Sequence, residues 1–265
     1  MSASLPPSSG STVTPRFFLP GISETGQAVS LGGEEFHHLH RVLRLQVGDE
    51  VALFDGLGRG FAGRIASLSR GEATIVLGAE EPPGRESPLR LTLLAALSKG
   101  EKFDLVVQKA TELGVGEIQA VYSERADVRP APGRGERKAD RWRRVALEAC
   151  KQSGRTRVPL IREPLGLEEA LRRPAGEVGV VMDPGGPEGT AAEIAAKAGA
   201  AGALAVAVGP EGGWSERELS AFREAGFIPL RLGPRVLRTE TAAIVSAAIL
   251  QFLSGDLGGR SLPRR

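Results

Sequence analysis

From residue 89 onward the chain alternates short apolar runs with amphipathic stretches. The runs 89–97, 117–122, 158–162, 178–183, 203–208 and 227–232 have the length and branched content of buried strands. Between them, apolar positions recur at helical spacing over 102–113, 139–152, 167–171, 191–198 and 215–225, and a long apolar helix follows Thr239, running over 242–253. Such alternation predicts a mostly parallel sheet with helices on its faces. Residues 16–80 differ: short β runs at 16–19, 48–54, 60–68 and 72–77, with glycine-rich turns, predict a small all-β barrel that holds one helix, 34–45. The proline-rich stretch EEPPGRESP at 80–88 reads as the linker between the two.

Two of the apolar runs, 203–208 and 227–232, pass through a Gly-Pro turn into a helix. In VGPEGGWSERELSAF, 208–222, Gly209, Gly212 and Gly213 surround Pro210 and Glu211 and leave backbone amides free to face a ligand. Ser215 is placed to cap the next helix, with Glu218 completing a capping box. In LRLGPRVLRTETAAI, 230–244, Thr239 and Thr241 flank Glu240 at the mouth of the long helix. Loops at the carboxyl ends of successive strands form the crevice in which open α/β sheets place ligands. Gly-Pro pairs are also ordinary turn punctuation. Neither loop carries the Gly-Lys-Ser/Thr of a Walker loop or a GxGxxG, so spacing alone names no ligand.

GPEGGWS followed at this distance by LGPRVLRTETA, with LSKGEKFDLVVQKATELGV at 97–115 and HHLHRVLRLQVGD at 37–49, resembles the RsmE family of SPOUT-class methyltransferases. That family methylates N3 of a uridine in small-subunit ribosomal RNA. The resemblance spans residues 16–254 in family order. It implies a PUA-like RNA-binding barrel over 16–80 and a SPOUT methyltransferase domain over 89–256 whose C-terminal part forms a deep trefoil knot. It further implies a homodimer packed through the knot region, S-adenosyl-L-methionine as methyl donor, no metal, and 16S ribosomal RNA or the small ribosomal subunit as partner. Carried over by position, it implies cofactor contacts at Met182, Gly209, Gly213, Leu232, Gly233, Leu237, Arg238, Thr241 and Ala242.

Uridine N3 carries a proton near neutral pH, so its attack needs a base or stabilisation of the developing anion. Glu240 is the nearest carboxylate in sequence to the expected cofactor and Arg238 the nearest cation, which makes them the candidate catalytic residues. Glu240 would take the proton, or hold a water that does, and Arg238 would position phosphate or uracil oxygens. Other readings of the same residues are a carboxylate favoured by the helix dipole and a loop salt bridge. The fold is also compatible with another RNA nucleotide, such as a tRNA ribose, or with an RNA-binding assembly factor without catalysis.

Charge changes the picture locally. The formal net charge is only +2, yet from Arg125 to Arg157 eleven basic residues face four acidic ones, a candidate phosphate footprint or else a solvated helix face. Arg141, Arg144, Lys151 and Arg155 from this segment, with Arg16, Arg41 and Arg44 from the barrel, are the expected RNA contacts. His37, His38 and His40 are too closely spaced on one helix to converge on a metal, and packing or RNA contact is the expectation. One cysteine, Cys150, excludes a disulfide framework and suits a reducing cytoplasm. No apolar run is long enough to span a membrane and the start lacks the features of a signal peptide, so a cytoplasmic protein is expected, with disordered tails at 1–15 and 257–265.

Overall fold

The computed structural model describes residues 14–82, 85–98, 100–131, 133–172, 176–186, 193–194, 196–198 and 202–258. The tails expected to be disordered fall almost wholly outside these residues, as does part of the helix expected over 191–198. The chain divides into two compact units, Met1–Pro83 and Gly84–Arg265.

In the first unit, strands β1 (Arg16–Phe18), β2 (Ala28–Gly32), β3 (Glu50–Phe54), β4 (Gly60–Ser69) and β5 (Glu72–Glu80) form one sheet in the order β1-β3-β4-β5-β2. Only β1 and β3 pair in parallel. Alternation puts Phe17, Leu31, Leu53, Phe61, Ile65, Ile75 and Leu77 in a common core. Two register slips between β4 and β5 bend this sheet. Strand β2 was not among the expected runs, because only Val29 and Leu31 alternate inward in a stretch this short.

The helix expected over 34–45 is shorter and changes character. Helix α1 (Gly33–His37) runs into a π turn, His38–Val42. There the Leu43 amide donates to the His38 carbonyl at 3.0 Å and the Leu45 amide to that of Leu39 at 3.1 Å. Arg44, at φ 55, ends it in the left-handed region. His40 stacks on Phe36 at 5.4 Å and His38 packs edge-on to Phe17 at 6.0 Å, so these imidazoles serve packing.

The second unit is the α/β domain. Its strands are β6 (Arg90–Ala96), β7 (Glu117–Tyr122), β8 (Leu160–Ile161), β9 (Leu165–Gly166), β10 (Val178–Met182), β11 (Ala203–Val208) and β12 (Ile228–Leu230). They form a parallel sheet in the order β12-β10-β11-β6-β7-β8, with β9 paired to β7. The described helices are α2 (Lys102–Glu112), α3 (Arg134–Ser153), α4 (Leu167–Ala170), α5 (Glu216–Glu224) and α6 (Thr239–Ser254).

Both faces of the sheet are covered, as its continuous apolar strands require. Leu91, Leu93 and Ala95 of β6 face Phe103 and Val106 of α2, Trp142 of α3, and Ala243 and Leu250 of α6. Leu94 and Ala96 of the same strand face the opposite way, toward Leu167 of α4, Trp214 in the loop before α5, and Phe222 of α5. Helix α3 begins at Arg134, earlier than residue 139, because Gly133 at φ 63 turns the chain into it and the polar first turn needs no apolar partner. Its inward face is Trp142, Ala146, Ala149 and Cys150.

Strand β10 pairs with β11 on one side and β12 on the other. The end of β10, Met182 and Asp183, therefore lies between the two Gly-Pro loops.

Candidate active site

The first Gly-Pro loop leaves β11 at Gly209 and enters α5 through the capping box read from the sequence: the Ser215 hydroxyl accepts from the Glu218 amide at 3.1 Å, and the Glu218 carboxylate accepts from the Ser215 amide at 2.8 Å. The other oxygen of Glu218, a buried residue, accepts from the Glu124 amide at 2.9 Å. Arg125 then reaches the Gly212 carbonyl at 3.2 Å. The loop after β7 thus clamps the loop after β11. Within the loop, Gly213 takes φ 69, which suits glycine. At Gly209 close approach is the constraint, because a Cβ would stand 3.2 Å from the Trp214 indole. That ring is wedged against Phe222 at 4.8 Å, and Phe222 against Phe227 at 4.9 Å.

The second loop leaves β12, turns at Gly233 (φ 67), and enters α6 with Arg238 as its extended N-cap residue. Between the two loops lies a cavity of about 300 Å³. Of the residues expected to hold a cofactor, Met182, Gly209, Gly213, Leu232, Gly233, Leu237 and Ala242 line it. Arg238 and Thr241 do not; both are exposed at the start of α6. Glu240, half-buried in the first turn of α6, is not among the lining residues either; its Oε2 is buried with no hydrogen-bond partner among the described residues.

Sequence reasoning missed several lining groups: Arg125, Trp214, Thr239, Arg231 and Arg235. Trp214 and Thr239 are nearly fully buried, and both the indole Nε1 and the threonine Oγ1 lack a hydrogen-bond partner among the described residues. A buried donor left unpaired costs on the order of 1–3 kcal/mol. The aromatic in GPEGGWS and the first Thr of TETA were visible signals, but nothing in the spacing said which way either would point.

Lys102, in the first turn of α2, donates from Nζ to Glu211 Oε1 at 2.8 Å. The bond to Lys102 holds the Glu211 carboxyl below its usual range, and the same bond raises Lys102.

The expected RNA contacts separate into two groups. Arg41, Arg44, Arg141 and Arg144 are exposed, with Arg141 paired to Asp104 and Glu101. Three others are corrected by the structure. Arg155 is buried, binding Glu86 at 2.8 Å and the carbonyls of Thr111 and Val115 at 2.9 Å each, so it braces the interior. The Arg16 side chain is buried, with its guanidinium over the Phe54 ring at 5.7 Å and paired to Glu81 at 2.9 Å. Lys151 lies along the protein with only 9% of its side chain exposed and pairs with Glu148. Among the described residues no group of three His, Cys, Asp or Glu could hold a metal ion, and no helix is long and apolar enough to cross a membrane.

Comparison with known proteins places these features in a family. Residues 85–251 match the model of an RNA methyltransferase domain, and residues 31–78 that of an RNA methyltransferase PUA domain. Proteins named ribosomal RNA small subunit methyltransferase E are similar: that of Synechocystis is 32% identical over 85% of this chain and 73% of its own length. That of Mycobacterium tuberculosis is 32% identical over 90% of this chain and 91% of its own. Among solved structures, the Neisseria gonorrhoeae ribosomal RNA small subunit methyltransferase E bound to S-adenosyl methionine superposes with a TM-score of 0.83, at 37% identity over 92% of this chain and 99% of that one. A Legionella pneumophila protein solved in complex with the cofactor SAM gives 0.81 at 33% identity, again covering 92% and 99%. With a parallel sheet, a crevice between two Gly-Pro loops and matches that run through both units, this chain belongs to the ribosomal RNA small subunit methyltransferase E family of RNA methyltransferases.

Proposed function

We propose that the protein transfers a methyl group from S-adenosyl-L-methionine to N3 of a uridine in 16S ribosomal RNA, acting in the cytoplasm on the small ribosomal subunit or its RNA. The observation that carries this reading is the cavity between the two Gly-Pro loops, with two buried donors unpaired beside it. The residues present fit the cofactor. Met182, Leu232 and Leu237 supply apolar walls, the open space at Gly213 and Gly233 allows backbone to approach a ligand, and Trp214 Nε1 and Thr239 Oγ1 offer donors without a partner among the described residues. Asp183, Glu211 and Glu216 line the cavity beside Arg125, Arg231 and Arg235, so it offers carboxylates to a cationic group and guanidinium groups to an anionic one. When bound, the cofactor supplies an electrophilic methyl on a sulfonium.

The chain's own residues would do the rest. Enclosure of the reactants by the two loops supplies proximity, which is worth about 7–11 kcal/mol in well-oriented reactions. As N3 gains the methyl it must lose its proton, and the unpaired Oε2 of Glu240 is the acceptor in this reading. Arg238, exposed two residues earlier at the N-cap, would hold a phosphate or uracil oxygen. Arg41, Arg44, Arg141 and Arg144 would contact RNA phosphates. In this reading 16–80 is the RNA-binding domain and 89–256 the catalytic one. The C-terminal part of the latter is threaded as a trefoil knot, and the outward face of α6 pairs two copies as a homodimer.

The test is calorimetry with S-adenosylmethionine followed by mass mapping of 16S RNA from small subunits incubated with the protein. Binding, and one added methyl on a uracil base, are expected. A methyl on a ribose, or no binding at millimolar cofactor, would overturn the reading.

A further inference from the structure

Lys102 stands where a lysine is unfavourable. It occupies the first position of α2, an end of the helix that favours negative charge by about 0.3–1 kcal/mol. Helix formation therefore does not explain it, and neither does α2 packing, which uses Phe103, Val106, Val107 and Ala110. What the position provides is reach. Its ammonium meets Glu211 across 109 residues of sequence, tying the start of α2 to the first Gly-Pro loop.

Glu211 needs such a tie. It lines the cavity from a loop whose next two residues are glycines, and its flexible side chain is about half exposed. Unheld, that carboxylate would sample several rotamers, and a wandering charge on the wall of a methyl-transfer site disturbs both orientation and field. Lys102 also lies close enough to Glu240 and Arg238 for both to act on its charge. One lysine thus stands among the charged groups of both Gly-Pro loops.

We propose that Lys102 is a positioning residue for methyl transfer, holding Glu211 in the cavity wall from the N-terminus of α2. The proposal rests on the reading of the cavity as the cofactor site. It assigns Lys102 no contact with substrate or cofactor; its effect passes through Glu211.

The test is a double-mutant cycle in the full-length protein, with Lys102→Met, Glu211→Gln and the double variant, plus Lys102→Arg. Lys102→Met is expected to lower kcat by about 10-fold or more while the cofactor Kd, measured by calorimetry, stays within about 3-fold of the parent. Lys102→Arg should recover most of the loss. In the Glu211→Gln background, Lys102→Met should cost nothing further, because the group it positions is gone. Thermal melts should be unchanged, since a half-exposed ion pair contributes little to stability. Parent-like kcat in Lys102→Met, or the same loss with and without Glu211, overturns the proposal. A parent protein that fails to bind S-adenosylmethionine overturns the cofactor assignment itself, and the proposal with it.

Discussion

Arg155 and Glu86 form a pair in which two guanidinium nitrogens share one carboxylate oxygen, Nε at 3.0 Å and Nη2 at 2.8 Å. The third nitrogen bridges the carbonyls of Thr111 and Val115, at the end of α2 and just beyond it. The other Glu86 oxygen accepts the amides of Thr156 and Arg157, each at 3.0 Å. A segment before β6 is thereby fastened to the C-terminal end of α2 and to the turn after α3. Removing one partner of a buried pair leaves the other uncompensated, so Arg155→Ala should lose about 3–5 kcal/mol of unfolding free energy in a denaturant titration. The salt dependence of RNA binding should not change.

Gly209→Ala tests the close approach at the first loop. The added methyl would meet the indole of Trp214 at 3.2 Å, and Phe222 and Phe227 block the ring's retreat. Overpacking of this kind costs about 1–3 kcal/mol. Because Trp214 and Gly209 both line the cavity, cofactor affinity by calorimetry should fall along with the melting temperature.

Glu240→Gln keeps the size of the side chain and removes its capacity to take a proton. A rate loss of about 10²-fold or more is expected at neutral pH, with cofactor affinity kept within a few-fold. Single-turnover methylation of small subunits across a pH series measures it. Equal rates from pH 6 to 9 would remove Glu240 from proton transfer.

Arg144 is exposed on the outer face of α3. Arg144→Ala should weaken RNA binding about equally for different sequences and reduce the slope of log K against log salt by about 1. Filter binding at several salt concentrations reads both quantities.

Local patterns carried much of the architecture. Strand β11 is a continuous apolar run that stands out from its flanks, and the Ser215–Glu218 box marks the start of α5 within a residue. What could not be read was set by distant partners. Arg155 belongs by composition to a basic segment, yet its carbonyl and carboxylate partners, far away in sequence, draw it inside. The two Gly-Pro loops looked like neighbours because their strands follow one another in the chain. Instead β10, paired on both sides, intervenes, and this brings Met182 and Asp183 between the loops. Hydrogen-bond vacancies at Trp214 and Thr239 likewise depend on what does not lie nearby, which no pattern of residue types encodes.

The intervening strand also sets a gauge. With β10 between them, β11 and β12 run two ladder spacings apart, about 10 Å. The place between the two loops therefore falls to Met182 and Asp183, which line the cavity. A strand inserted or removed here would shift the two loops relative to each other without changing a residue in either.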